Sequence, residues 1–282
     1  MRSSRLPTVD AVINTGDLVT DGRRGKQWDD FVTRSAALRA RALRRRGRKP
    51  RGRILRRRPR ELGRGARAAA VRGVGTGTRS IFPTRFARFV ILDSNLFTDP
   101  HHGYTDSTLR ALGEAQLAWA DSALAAPAQY KFLVFHHPLA SAGHYFRDWT
   151  RSDAWTKPAR SRLLAMARAR GVTAVLTGHE HLYQRMQIVD PRGGRALPEI
   201  TTGGGGAPLV RIPRQRRERA ARQLLPDSSI VRFADVPRSV YHVCRLVFVR
   251  DPTPTVTLLV DAVDREGRMT PIERLRIDPE TR

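Results

Sequence analysis

The sequence predicts an α/β fold, a four-layer αββα sandwich in which two mixed sheets are flanked by helices. Two observations support this prediction. In the middle of the chain, short apolar runs that are typical of buried strands alternate with longer amphipathic segments. Nearer the C-terminus, three segments alternate apolar and polar residues, which is typical of antiparallel strands. A chain of 282 residues is long enough for one large domain of this kind.

The elements can be assigned in order along the chain. The amphipathic segment 108–124 predicts a helix with Leu109, Leu112 and Leu117 available for the core. Further helices are predicted at 28–41 and 158–170, and the basic patch 211–222 could form a surface helix. Strands are predicted at 12–17, 86–93, 130–135 and 172–176, then as a hairpin at 187–189 and 196–201, and finally at 240–249, 255–263 and 272–277.

Three of these strands are followed directly by Asp or His residues. Asp17 ends the first, His136 and His137 follow the strand 130–135, and His179 and His181 follow the strand 172–176. Ligand sites in α/β sheets lie beyond the carboxyl ends of the strands, so these side chains are expected at one edge. Gly178 gives the backbone freedom to turn both later imidazoles toward one point. The alternative is that such histidines are only hydrogen-bonded loop residues.

Five motifs occur in an order that resembles a known family. They are GDLVTDG at 16–22, LDSN at 92–95, FHHP at 135–138, GHEHLYQR at 178–185 and TTGGGGAPL at 201–209. Together they resemble the calcineurin-like metallophosphoesterase superfamily, closest to its purple-acid-phosphatase-like members. Two motifs of that family are absent from this sequence, the first Asp-x-His motif and the Gly-Asn-His motif. The resemblance therefore implies a chain that starts late and lacks part of the family's site.

The resemblance implies a hydrolase that uses two metal ions, Fe, Mn or Zn, on a phosphomonoester or phosphodiester. Asp17 would bridge the ions, His136 and His179 would join it on one metal, and His181 on the other. Because the missing motifs supply the remaining ligands and the acid for the leaving group, we expect one well-bound metal and impaired activity. His144 is a candidate substrate contact, with a merely solvated histidine as the alternative, and no catalytic residue is assigned.

An arginine-rich segment interrupts the predicted domain. Residues 34–67 contain 15 Arg and one Lys against one Glu, so they carry +15 of the net charge of +26. We expect the segment 34–80 to be mobile, because it has little apolar surface to bury. It could be a nucleic-acid-binding arm, or a stretch translated out of frame from a GC-rich gene. The metallophosphoesterase domain would then comprise residues 1–33 and 81–282.

Three functions follow from these observations. The first is a metal-dependent phosphoesterase with an incomplete site. The second is a nucleic-acid-binding protein that uses the arginine-rich segment, and the third is a non-catalytic member of the family. The sequence shows no signal peptide and no apolar run near the roughly 18 residues that span a bilayer. It predicts a cytoplasmic protein without membrane association, although an intact parent could be secreted. The oligomeric state cannot be predicted.

Overall fold

Eight strands form a mixed sheet at the centre of the fold. The computed structural model describes residues 11–20, 24–36, 69–70, 74–76, 79–84, 86–98, 106–145, 148–150, 155–193, 195–215, 218, 230–250 and 253–278. In this part of the chain the strands of the sheet are β3 (Val74–Thr76), β4 (Arg79–Pro83), β5 (Ala87–Leu92), β6 (Tyr130–Val134), β7 (Ala174–Thr177), β8 (Tyr183–Val189), β9 (Leu197–Thr202) and β10 (Ile230–Phe233). They lie in the order β10-β8-β9-β7-β6-β5-β4-β3.

The four central strands of this sheet run parallel. β5 pairs with β6, β6 with β7, and β7 with β9, all in parallel, whereas the outer pairs are antiparallel. Parallel strands are usually buried on both faces, and every residue of β6 and β7 is buried. The carboxyl ends of these strands therefore meet at one edge of the sheet, where the polar loops begin.

A smaller sheet covers one face of the large sheet. It contains β11 (His242–Val249), β12 (Thr255–Val263) and β13 (Met269–Ile277), which are antiparallel throughout. Val256, Leu258 and Val260 of β12 pack in one apolar cluster with Phe89 and Phe132 of the large sheet. Alternate residues of β12 are thus buried between the sheets, as the alternating pattern of the sequence predicts.

Helices cover the other face of the large sheet. They are α2 (Asn95–Thr98), α3 (Asp106–Ala125) and α4 (Thr156–Ala169), while α1 (Gly25–Arg34) precedes them in the chain. Leu117, Leu124 and Leu163 of these helices form a second apolar cluster with Val90 and Leu133 of the sheet. None of the described helices is both long and apolar enough to cross a lipid bilayer.

The predicted α/β sandwich of two sheets flanked by helices is confirmed, with differences in detail. Leu112 of α3 is 40% exposed, so the prediction that it belongs to the core is wrong. The helix predicted at 28–41 begins at Gly25 and ends at Arg34, and none of its residues is buried. Residues 37–41 and half of the predicted surface helix at 211–222 lie outside the described residues.

Part of the segment 34–80 has regular structure. β2 (Ala69–Ala70) pairs with β1 (Ile13–Asn14) as a separate two-stranded sheet, and β3 pairs with β4 at the edge of the large sheet. These strands lie within the segment 34–80, and the mobility expected for that segment stays a prediction. The remaining arginine-rich residues, apart from 34–36, lie outside the described part of the chain.

A polar contact joins the two sheets close to the second histidine loop. Tyr183 at the start of β8 donates its hydroxyl hydrogen bond to Glu273 of β13. Arg185 of β8 contacts the same carboxylate at 2.7 Å, so the negative charge between the sheets is balanced. Burial raises the pKa of the Tyr183 phenol, and the bonded carboxylate of Glu273 raises it further. The phenol is therefore a fixed donor at neutral pH.

Candidate metal centre

Two histidine loops leave the large sheet side by side. His136 follows β6 and His179 follows β7, and the parallel pairing of these strands continues into both loops. The Phe135 amide donates to the carbonyl of Leu176 at 3.1 Å, and the Gly178 amide donates to the carbonyl of His136 at 3.0 Å. This register places the imidazoles of His136 and His179 next to each other.

Asp17 and His179 both contact His136 at this edge. Nε2 of His136 lies 2.8 Å from Nδ1 of His179 and 3.3 Å from Oδ2 of Asp17. Burial raises the pKa of the Asp17 carboxyl, but the hydrogen bond from His136 and the charges of the nearby histidines outweigh burial, so the pKa lies below its ordinary value. Asp17 is therefore a carboxylate at neutral pH. The strand before it, β1, does not belong to the large sheet, so Asp17 reaches this edge from outside the sheet.

Hydrogen bonds on the outer side of each ring identify the nitrogens that face inward. Nδ1 of His136 lies 2.9 Å from the carbonyl oxygen of Thr15, which can only accept, so this nitrogen carries a proton. Nε2 of His179 lies 3.0 Å from Oδ2 of Asp148 and donates to that carboxylate. Nε2 of His136 and Nδ1 of His179 are thus the nitrogens that face inward, and a cation held between them would replace the proton of the Nε2 hydrogen bond to Asp17.

The backbone bends sharply at two of these three residues. Asp17 has φ 52° and His179 has φ 65°, which is the left-handed region. Few residue types other than glycine adopt this region readily, and Asp and His are among them. Gly16 has φ 119°, and a Cβ atom there would lie 2.2 Å from Nδ1 of His136. The turn at Gly16–Asp17 therefore fits directly against the His136 ring.

His137 lies in the same cluster of imidazoles. His136, His137 and His179 each place one ring nitrogen within 4.8 Å of the others. The hydroxyl oxygen of Ser94 accepts the amide hydrogens of both His136 and His137, at 3.2 and 3.1 Å, and lies 2.8 Å from Nδ1 of His137. With two hydrogens already accepted, the Ser94 hydroxyl donates to Nδ1. A neutral His137 then carries its proton on Nε2, as a donor rather than a ligand.

The other sequence candidates lie around this cluster. Nδ1 of His181 donates to the carbonyl of Pro208 at 2.8 Å, and His181 is not in the group of three imidazoles, although its charge acts on Asp17. His144 is exposed, and its backbone amide donates to Glu180 at 3.1 Å.

Three carboxylates near the site did not emerge from the sequence reasoning. Asp148 contacts His179, while Glu180 and Glu199 are almost completely buried and hold the loop that follows His137. Oε1 and Oε2 of Glu199 accept the amide hydrogens of Leu139 and Ala140 at 2.6 and 2.8 Å. Burial raises the pKa of Glu199 to about 7. An acidic residue within a predicted buried strand, such as Glu199 in LPEITT, is the sequence signal that could have identified such a carboxylate.

The first two glycines of the run 203–206 let the backbone pass close to the second histidine loop and to a buried histidine. A Cβ atom on Gly203 would lie 2.0 Å from the carbonyl oxygen of Glu180, and one on Gly204 would lie 2.4 Å from Nδ1 of His242. Any side chain at these positions would displace the backbone or the buried histidine.

Several solved structures are similar to this chain at low sequence identity. No protein-family model matches this sequence, and no curated protein matches it either. The purple acid phosphatase PPD1 from yellow lupin seeds is similar over 71% of this chain and 32% of its own, with 15% identity and a TM-score of 0.44. GAP50, described as the anchor in the inner membrane complex of Plasmodium, is similar over 72% of this chain and 54% of its own, with 14% identity and a TM-score of 0.38.

Proposed function

We propose that this chain is a metal-dependent phosphoesterase with one strong cation site, formed by Asp17, His136 and His179. The observation that supports the proposal is that Nε2 of His136 lies 2.8 Å from Nδ1 of His179 and 3.3 Å from Oδ2 of Asp17, while the outer ring nitrogens donate to Thr15 and Asp148. Two imidazoles and a carboxylate are suited to Fe, Mn or Zn. Outer hydrogen bonds of this kind orient metal-binding histidines and fix their tautomers.

The residues present account for part of such a reaction. A bound cation would supply a polarised phosphoryl oxygen and an activated water. Asp17 stays ionised and balances positive charge, and the Thr15 and Asp148 contacts prevent the two rings from turning. His181 can contribute to a second position only weakly, since the described residues offer no further ligand group beside it. We therefore propose slow hydrolysis compared with a complete two-metal site.

The decisive experiment is a metal titration followed by turnover. The metal-free protein is titrated with Mn²⁺, Zn²⁺ and Fe²⁺ by calorimetry, and each loaded sample is then assayed with p-nitrophenyl phosphate and its bis ester. We expect one ion per chain and slow turnover of at least one ester. Two tightly bound ions would contradict the single-site view, and binding that survives in His136→Ala and His179→Ala would show that the ion is held elsewhere.

We also propose that residues 1–33 and 81–282, together with the strands at 69–70, 74–76 and 79–80 that pair with them, form the domain that carries this site, and that the arginine-rich segment binds nucleic acid. The charge of residues 34–67 favours the second proposal, because arginines neutralise phosphates and release counterions. Its test is the affinity for single- and double-stranded DNA between 50 and about 200 mM salt, where such binding falls steeply. A variant without residues 37–67 should lose this affinity and keep the metal site.

A further inference from the structure

The loop after the first histidine pair packs against the second pair. Glu180, between His179 and His181, is 0% exposed, and its carboxylate faces the loop 141–145. Oε1 accepts hydrogen bonds from the Ser141 hydroxyl at 2.6 Å and from the Tyr145 amide at 2.7 Å, while Oε2 accepts from the His144 amide at 3.1 Å. One carboxylate thus satisfies three donors of a neighbouring loop.

Gly143 makes this close contact feasible. A Cβ atom at Gly143 would lie 1.9 Å from Oε2 of Glu180, so a side chain there would push the carboxylate away. The Ser141 hydroxyl also accepts the Gly143 amide hydrogen at 2.8 Å. A buried carboxylate with three hydrogen bonds is costly to disturb, since each lost partner leaves a buried polar group unsatisfied.

The loop held in this way places an aromatic ring over the candidate metal centre. The Tyr145 ring lies 3.8 Å from the His179 ring, measured between centroids, at an interplanar angle of 39°. The side chain nevertheless remains 40% exposed, and its hydroxyl is close enough to feel the charges of Asp148 and Asp17. The phenol therefore packs against a metal-ligand candidate, and the residue remains partly exposed at the edge of the site.

We propose that Glu180 is a positioning residue that holds the Ser141–Tyr145 loop against His179, and that the Tyr145 ring is the surface on which the organic part of a phosphoester lies. The ligand class is a phosphoester with a planar, apolar substituent, because such a group gains most from an exposed aromatic face. This inference rests on the proposed phosphoesterase function and adds to it the part of the substrate that the metal ligands do not contact.

The positioning role can be tested by amide hydrogen exchange, which requires no activity. In Glu180→Gln, Oε1 can still accept from Ser141 and Tyr145, but the amide nitrogen that replaces Oε2 cannot accept from His144. We expect exchange at the His144 amide to accelerate at least about tenfold, with a smaller change at Tyr145. Glu199→Gln is the matched control and should affect Leu139 and Ala140 instead. Unchanged exchange at His144, or equal changes in both variants, would overturn the positioning role.

The binding role can be tested with phosphonates, which resist hydrolysis. The Kd values of phenylphosphonate and methylphosphonate are measured by calorimetry on the Mn²⁺-loaded full chain. Tyr145→Ala should lower the preference for phenylphosphonate about five- to tenfold, while Tyr145→Phe, which keeps the ring, should retain it. An unchanged preference in Tyr145→Ala would overturn the proposal for Tyr145. Failure to load Mn²⁺ would instead refute the proposed metal site, and the exchange experiment would still decide the role of Glu180.

Discussion

The two histidine loops at the edge of the large sheet are held in different ways. The adjacent pair, His136 and His137, is buried, and one serine hydroxyl accepts both of its backbone amides. The spaced pair, His179 and His181, is partly exposed and diverges, His179 toward His136 and His181 toward the Pro208 carbonyl. A left-handed residue at His179 separates the directions of the two rings. Spacing in the sequence therefore does not indicate which imidazoles meet.

The largest expected effect contrasts one histidine from each loop. His136→Ala removes the ring that contacts both Asp17 and His179, so the metal Kd should increase more than about 100-fold, beyond the usual loss on removing an outer partner. His181→Ala should change the same Kd less than about tenfold. Calorimetric titration with Mn²⁺ measures both variants. An equal increase of the metal Kd in both variants would show that the two histidine loops contribute equally to metal binding.

The support of the first loop should make folding stability depend on pH. Burial raises the pKa of Glu199 from 4.5 to about 7, so between these values the folded protein binds more protons than the unfolded chain. The stability that Glu199 contributes is complete below pH 4.5 and is lost as the pH rises through about 7, a change of about 3 kcal/mol. Urea unfolding at several pH values should show this fall in the wild type. Glu199→Gln should show a flatter profile over the same range, and identical profiles would contradict the assignment.

Substitution of Ser94 should change the free energy of unfolding more than it changes the metal Kd. Ser94→Ala leaves the buried amides of His136 and His137 without their acceptor, which should lower the free energy of unfolding by about 2 kcal/mol. Ser122→Ala is a suitable control, since its exposed hydroxyl only donates to a carbonyl within its own helix. Urea unfolding of both variants gives the comparison. If Ser94→Ala were as mild as Ser122→Ala, the first loop would not depend on this hydroxyl.

The smallest expected effect concerns the partner of the second loop. Asp148→Asn keeps the size of the side chain but weakens the acceptor for Nε2 of His179, so the metal Kd should increase about tenfold. Asp148→Glu should restore part of the affinity if the carboxylate matters, because it keeps the charge. A Co²⁺-loaded sample gives an independent measure, since its absorption bands report the ligand geometry. Unchanged affinity and spectra in Asp148→Asn would assign Asp148 to the loop alone.

The sequence was sufficient for the central parallel strands of the large sheet and for the smaller sheet, but β3, β4 and β10 were not predicted. The apolar runs before His136 and His179 identify buried parallel strands, and neighbouring parallel strands bring their following loops together. It could not show that β1 pairs outside the large sheet, because a two-residue strand has no periodicity to detect. Asp148 and Glu199 were missed for another reason, since their roles depend on loops that are distant in sequence and adjacent only in the fold.

The left-handed backbone at Asp17 and His179 has a practical consequence for anyone who wishes to inactivate the molecule cleanly. Few residue types other than glycine adopt that conformation readily, and asparagine is one of them, as aspartate and histidine are. Asp17→Asn and His179→Asn should therefore remove a carboxylate and an imidazole from the candidate metal centre while the main chain keeps its native conformation. Such shape-preserving knock-outs separate what the molecule does from how it folds.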